Sequence, residues 1–458
     1  MFQDLNPYIF RGYDIRGVVP KDINQNTAYL IGKGFGSKLV QLQKDKCVVG
    51  YDNRLSSPML HEALVKGITE CGIDVYDLHL TTTPMYYFAC LYLKIDSGVM
   101  ITASHNPKDE NGFKYALSNY QNAKGQEVQD FYHFIMKGDF ATPEALGKTH
   151  DINVKQAYFE AIDKALSFGN RKVKVVLDPG NGTTSILAKD LYSRYPIDII
   201  MINDESDGTF PNHHPDPSIE SNLEQLKKKV LEEQADVGLA FDGDGDRVGV
   251  VSNKGIFIPI DYYMIIIIRD IFAKVSKKEF LFDVKCSKSV EDEIKKLGGI
   301  PYCYRTGNSY TRAKTQELDL PFGGELSGHL YFRDHFLGFD SGLYAGLRLV
   351  EILSKTDKDI DALLEGITRY EATPEIKYPS DDAIKQQVIA KIKEYAIEKG
   401  YKINDIDGVR VTFADGWAGV RMSNTGPNIT GRYEATTKER LQEIKKEFET
   451  LITKYNHR

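Results

Sequence analysis

The chain has 458 residues, 41% of them hydrophobic and 27% charged, with a net charge of −7. That length exceeds one ordinary core, about three domains by size alone, and the composition is that of a globular chain rather than a disordered or fibrous one. A net negative chain has no broad attraction for nucleic acid or anionic lipid, so an anionic substrate would need a locally basic cleft.

The N-terminus "MFQDLNPYIF" lacks a basic region followed by a long apolar run and is no signal peptide. The segment "FRGYDIRG" then supplies Arg11 and Arg16 with Tyr13 between them, a pair that by itself indicates either one cleft or a plain domain surface. From here short apolar runs alternate with helical patterns, which argues an α/β protein. Three runs look alike: "CVVGYDNR" stops at Asp52, "KVVLDPGNG" at Asp178 and "FLFDVKCS" at Asp283. Each is followed by a helical segment and a second strand-like run ("DVYDLHL", "IDIIMIND", "IPYCYR"), a weak repeat that suggests three related α/β domains in series. The most apolar stretch, around residues 262–272, is interrupted by Arg269 and Asp270 and falls short of the ~20 residues that span a bilayer. The expected location is therefore the cytoplasm, with no membrane partner. The cysteines, Cys47, Cys71, Cys90, Cys286 and Cys303, are scattered and form no CxxC pair, so neither a disulfide framework nor a zinc site is indicated. Beyond residue 368 the texture changes. "RYEATPEIKYPSDD", with Pro374 and Pro379, reads as a linker. A helix (382–399), three strands and a final charged helix (437–455) follow, a small α+β domain. The expected domains are 1–150, 151–255, 256–368 and 369–458.

Several stretches carry chemistry. In "ITASHNPKDENGFK" Ser104 leaves an apolar strand and enters a turn made by Asn106 and Pro107, with Lys114 ten positions on. It is either a loop hydroxyl or a nucleophile. "LAFDGDGDRVGV" alternates Asp242, Asp244 and Asp246 with glycines after an apolar strand. Glycines let the backbone fold tightly enough to converge three carboxylates on one hard cation such as Mg²⁺. An EF-hand is excluded, because its sixth position is Arg247 and its twelfth is Asn253. In "FGGELSGHLYF" Glu325 and Ser327 offer acceptors and a donor suited to sugar hydroxyls, and His329 is near enough to share the site and to move a proton. "GVRMSNTGPNITGR" combines Arg421, Ser423, Asn424, Thr425 and Arg432 around a Gly-Pro turn, the donor-rich loop a phosphate dianion requires. A hydroxyl nucleophile, a metal loop, a sugar-shaped loop and a phosphate anchor together imply phosphoryl transfer on a sugar phosphate, with Lys114 or His329 helping to move the proton.

The order "FRGYDIRG", "TASHNP", "DGDGDR", "GGELSGH", "RMSNTGP" resembles the α-D-phosphohexomutases, in particular the bacterial phosphomannomutase/phosphoglucomutase branch, along the whole chain. The resemblance implies three mixed-sheet α/β domains around a central cleft and a C-terminal α+β domain of the TATA-binding-protein-like class, closing on the linker near residue 370. It implies a phosphohexomutase that interconverts mannose or glucose 6- and 1-phosphates through a phosphorylated Ser104 and a hexose 1,6-bisphosphate. Mg²⁺ would lie between Ser104 and Asp242, Asp244 and Asp246, and glucose or mannose 1,6-bisphosphate would act as activator. Glu325 and Ser327 would take the 3- and 4-hydroxyls, and Arg421, Ser423, Asn424, Thr425 and Arg432 the non-reacting phosphate. Lys114, Arg16, Arg247 and His329 match the proton-transfer and charge-stabilising region, with Tyr13 and Asn308 among the substrate contacts. By the same analogy the protein is a monomer. The sequence departs from close relatives at Asn308 (usually His), Gly426 (often acidic) and Ser341 (often Asp). Two other classes fit parts of the pattern: a haloacid-dehalogenase-type phosphohydrolase with Asp242 as nucleophile, and a non-catalytic sugar-phosphate-binding protein.

Overall fold

A computed structural model describes residues 5–423 and 426–456. The chain forms two compact units, one made of residues 1–260 and 327–363, the other of residues 261–326 and 364–458.

The first unit holds two sheets. The six strands of one run in the order Ile15–Val18, Glu110–Ala116, Gly98–Ile101, Lys46–Tyr51, Asp74–Leu80, Thr149–Asp151. The central strands are parallel, whereas Glu110–Ala116 returns antiparallel to Gly98–Ile101, so the sheet is mixed. Helices Gln25–Gln41 and Ser57–Thr69 pack against each other, and Gly32 and Gly67 face each other so closely that a Cβ on Gly32 would lie 2.3 Å from the Leu64 carbonyl oxygen. The five strands of the second sheet run Phe257–Ile258, Val248–Ser252, Val237–Phe241, Val173–Asp178, Ile197–Met201. Helix Gly342–Ser354, buried along its whole length, packs on this sheet although it begins 84 residues after the sheet's last strand ends at Ile258. Its N-cap, Ser341, accepts the Tyr344 amide and meets the Tyr158 hydroxyl at 3.0 Å. The capping acceptor that an Asp would provide is thereby kept.

In the second unit, strands Ile300–Tyr304 and Phe322–Gly324 pair parallel on either side of Glu279–Asp283. Beyond them lies a largely antiparallel sheet, Glu371–Ala372, Asn428–Ala435, Gly416–Met422, Val409–Phe413, Lys402–Asn404, backed by helices Lys385–Glu398 and Lys438–Tyr455. Its core joins Val411, Val420, Ile429 and Tyr433 to Ile392, Ile444 and Phe448. The mixed sheets and the C-terminal α+β sheet agree with the fold class expected from the sequence.

The three alike runs become Lys46–Tyr51, Val173–Asp178 and Glu279–Asp283, each paired parallel with the run expected to follow it. The terminal aspartates Asp52, Asp178 and Asp283 are buried; the first two hold their own turns, and the third ties down the chain just after the neighbouring strand Ile300–Tyr304. Asp52 accepts Ser57 Oγ at 2.6 Å, Asp178 accepts the Gly180 amide at 2.9 Å, and Asp283 accepts Thr306 Oγ1 at 2.8 Å. The segment read as a linker is partly strand. Glu371–Ala372 and Ile376–Pro379 both pair with Asn428–Ala435. Pro379 sits at the strand's end, where its missing N–H costs no ladder bond, and this is why the proline signal misled.

Candidate active site

Ser104 follows strand Gly98–Ile101 with φ +51°, in the left-handed region, and is 2% exposed. Its amide bonds Thr102 Oγ1 at 2.8 Å, and its Oγ donates to Asp242 Oδ2 at 2.7 Å and lies 3.2 Å from His105 Nδ1. The loop is held from beneath by Arg54, whose side chain is fully buried. That one guanidinium donates to the carbonyl oxygens of Ser104 (2.7 Å), Asn106 (2.7 Å), Pro107 (2.5 Å) and Glu110 (3.0 Å), and Asp52 anchors it at 3.2 Å. Arg16 adds a bond to Asn106 Oδ1 at 2.8 Å and pairs with Asp14 at 2.6 Å. Tyr13, half-buried, lies within electrostatic reach of Arg16 and Arg247.

The aspartate loop joins strands Val237–Phe241 and Val248–Ser252, and its three carboxylates are completely buried. Gly245, at φ +82°, allows the tight return, and the amides of Gly245 and Arg247 both donate to Asp242 Oδ1 at 3.1 Å. Lys114 Nζ sits between Asp244 (2.8 Å) and Asp246 (2.7 Å), while Thr83 and Thr102 donate to Asp244 at 2.6 and 3.1 Å. Arg247 Nε lies 3.7 Å from Asp242 and donates to His329 Nε2 at 3.0 Å; His329 Nδ1 is 2.7 Å from Asp340.

Burial and the neighbouring carboxylates push Asp242 well above the usual carboxylate range, and burial with Asp244 pushes Asp246 up. Burial also opposes ionisation of Asp244, but Lys114 and Thr83 outweigh it and hold that carboxyl down. Three crowded carboxylates with one ammonium between two of them are short of positive charge. Asp244 Oδ1 and Asp246 Oδ1 are buried and take no hydrogen bond from the described residues, and one oxygen from each of the three aspartates falls within 4.8 Å of the others. An all-oxygen donor set of this charge fits a hard divalent cation.

The second unit carries the remaining expected residues except Ser327. Glu325 is 1% exposed and accepts the Gly307 amide at 3.2 Å, beside Asn308 at the start of helix Asn308–Glu317. Ser327 belongs to the first unit, where its Oγ is buried without a hydrogen bond to any described residue. Arg421 and Arg432 line one cavity of this second unit together with Lys285, Arg410, Glu375 and Asp407. Arg421 is fixed by Asp407 at 2.9 Å, Arg432 by the Lys285 carbonyl, and Arg410 stacks 3.9 Å above Trp417. Four cations against two acids leave the cavity net positive, which suits an oxyanion. Ser423 does not line this cavity; its carbonyl accepts from Lys385 Nζ at 3.3 Å. Asn424 and Thr425 lie outside the described residues.

The structure thus brings together Ser104, Lys114, Arg16, Arg247, His329 and the three aspartates in the first unit. In the second it gathers Glu325 with Asn308, and Arg421 with Arg432. Sequence reading missed Arg54, Thr83, Thr102, Asp340, Lys285 and Arg410. Arg54 and Lys285 shared a signal, each standing two residues past a strand-ending Asp; Arg410 had none, because it acts on carbonyl oxygens remote in sequence.

The comparisons agree along the chain. Models of the phosphoglucomutase/phosphomannomutase α/β/α domains I, II and III match residues 7–142, 156–255 and 259–370, and that of the C-terminal domain matches 375–451. A phosphomannomutase/phosphoglucomutase of Pseudomonas putida is 39% identical over 97% of this chain and 95% of its own. A phosphoglucomutase of Neisseria gonorrhoeae is 36% identical over 98% and 97%. The crystal structure of a phosphoglucomutase/phosphomannomutase family protein from Burkholderia thailandensis superposes with a TM-score of 0.91 at 35% identity, covering 98% of each chain. Fold and matches define an intramolecular phosphotransferase of the isomerase class. Within that class the chain belongs to the phosphoglucomutase/phosphomannomutase family of α-D-phosphohexomutases. Nothing in these matches supports the phosphohydrolase alternative. No helix among the described residues is long and apolar enough to cross a membrane.

Proposed function

We propose that the protein interconverts hexose 6-phosphates and hexose 1-phosphates, mannose or glucose, with Ser104 as the phosphoryl carrier. The observation that carries this reading is the buried Ser104 Oγ, 2.7 Å from Asp242 on the aspartate loop. Starting from phosphorylated Ser104, the free hydroxyl oxygen of the substrate attacks phosphorus. The new O–P bond forms as the Ser104 Oγ–P bond breaks, and the hydroxyl proton passes to a base in the cluster around His329. The product is a hexose 1,6-bisphosphate. In the second half Ser104 Oγ attacks the other phosphoryl group, and the sugar oxygen it leaves takes back the proton. Glucose or mannose 1,6-bisphosphate added from outside would therefore prime unphosphorylated enzyme.

Asp242, Asp244 and Asp246 would hold Mg²⁺, which would neutralise charge on the transferring group. Lys114 keeps two of these carboxylates compensated, and Arg247 and Arg16 supply cations at the reacting end. Glu325 and Ser327 would bind the sugar 3- and 4-hydroxyls. Arg421, Ser423, Asn424, Thr425 and Arg432, with Lys285 and Arg410 added from the cavity, would bind the non-reacting phosphate. Tyr13 and Asn308 would contact the substrate. Grip on the distal phosphate and on O3 and O4 serves both orientations of the intermediate, and it is blind to C2, where mannose and glucose differ. We take the domains as 1–150, 151–255, 256–368 and 369–458, and the working form as a cytoplasmic monomer with no nucleic-acid partner.

Intact mass and peptide mapping test the reading. One phosphoryl group on the Ser104 peptide, discharged by glucose 6-phosphate or mannose 6-phosphate and dependent on Mg²⁺, is the expected result. A phosphoryl group on Asp242, or none after priming with glucose 1,6-bisphosphate and Mg²⁺, would overturn it.

A further inference from the structure

We infer that the first sheet carries a second metal site, formed by His61, Asp77 and His79 and suited to a nitrogen-preferring divalent cation such as Zn²⁺. His61 lies on helix Ser57–Thr69, and Asp77 and His79 lie on strand Asp74–Leu80. One donor atom from each falls within 4.8 Å of the other two. His61 Nε2 is 2.9 Å from Asp77, and His79 Nδ1 is 3.5 Å from the same carboxylate. Donors that share an ion at about 2.0–2.1 Å stand roughly 3 Å apart, so the cluster is close to a coordinating spacing.

An ion pair would account for His61 on Asp77, but not for a second imidazole turned to the same carboxylate on a costly backbone. The strand bulges here. Val49 stands opposite Asp77, but Tyr51 stands opposite Leu80, so Leu78 and His79 share one partner position. His79 takes up the extra length at φ +54°, a region that favours glycine, and its amide is tied to Asp77 at 2.8 Å.

The outer nitrogen of His79 is already placed as a ligand's would be. Strand Thr149–Asp151 sets Asp151 beside Asp77 in register, and His79 Nε2 lies 2.9 Å from the Asp151 carboxylate. Histidines that bind metal through one nitrogen commonly donate the other N–H to such a carboxylate, which fixes the ring. The His79 side chain is 51% exposed and that of Asp77 2%, so an ion has an approach from solvent and a buried counter-charge. Two imidazoles and one carboxylate leave at least one position open for water. Mg²⁺ prefers all-oxygen sites, so the cluster and the aspartate loop would take different ions from the same solution.

The test is Zn²⁺ titration of the full chain by calorimetry in excess Mg²⁺, with the visible spectrum of added Co²⁺ as a reporter of imidazole coordination. One equivalent of Zn²⁺ should bind. His79→Gly, which relieves the backbone, should lower the affinity at least tenfold without lowering the melting temperature; His61→Gln should do the same to affinity, and Asp151→Asn should weaken it about tenfold. Should His61→Gln fail to fold, His79→Gly decides alone. Absence of Zn²⁺ binding in excess Mg²⁺, or an affinity unchanged in His79→Gly, would overturn the site.

Discussion

Arg54 shows how one side chain shapes the nucleophile's surroundings without touching the reacting atoms. Its guanidinium satisfies four carbonyl oxygens of residues 104–110 from a fully buried position, and its charge is balanced by Asp52. A lysine keeps the charge but offers a single point of donation in place of a planar fork, so most of these carbonyls would lose their partner. Arg54→Lys should therefore destabilise the protein by about 3 kcal/mol and lower kcat at least tenfold, with KM changed less. Thermal melting and steady-state kinetics check this; a variant with unchanged kcat would show that the Ser104 loop holds its shape by itself.

Among the elements, helix Gly342–Ser354 binds the chemistry to the scaffold. Its first residue donates its amide to the Gly245 carbonyl of the aspartate loop at 3.0 Å. A Cβ on Gly342 would fall 2.3 Å from the Arg247 carbonyl oxygen and 3.1 Å from that of Gly245. Both neighbours are backbone, so neither can rotate away. Gly342→Ala should push helix and loop apart, costing about 1–3 kcal/mol of stability and weakening Mg²⁺ several-fold, although residue 342 is no ligand. Magnesium titration of activity and a melting curve measure the two effects. A stable variant with unaltered Mg²⁺ dependence would mean that the loop is positioned by its own strands alone.

For the molecule as a whole, stability should depend on pH through His213, which lies against Asp178, the strand-ending aspartate of the second sheet. Its Nε2 is 3.0 Å from Asp178 and its Nδ1 3.0 Å from the His214 carbonyl. Burial favours the neutral ring, but two acceptors outweigh it and raise the imidazole above its usual value. A raised folded-state pKa adds stability that is complete below the unfolded value, about 6.5, and is lost as pH climbs through the folded value. The melting-temperature gap between the native chain and His213→Gln should therefore be wider near pH 6 than near pH 8. A gap that widens with pH would show that the ring is held neutral.

Much of this could be read from the order of residues alone. The alternation of apolar runs and helical patterns, the three strand-ending aspartates, the Asp-Gly loop and Ser104 at a strand end are local signals. Strand periodicity, glycine freedom and the spacing of carboxylates act within a few residues. The family order of motifs is likewise linear. What only the tertiary structure decided are the partnerships between residues far apart in the chain. These include Lys114 between Asp244 and Asp246, Arg54 under the Ser104 turn and Arg410 on the carbonyls of Val284 and Cys286. The same holds for the strands hidden in the proline-bearing segment 369–382 and for His61 and His79 on one carboxylate. A buried polar group must be satisfied, but sequence does not say by whom, because the partner is chosen by packing in three dimensions.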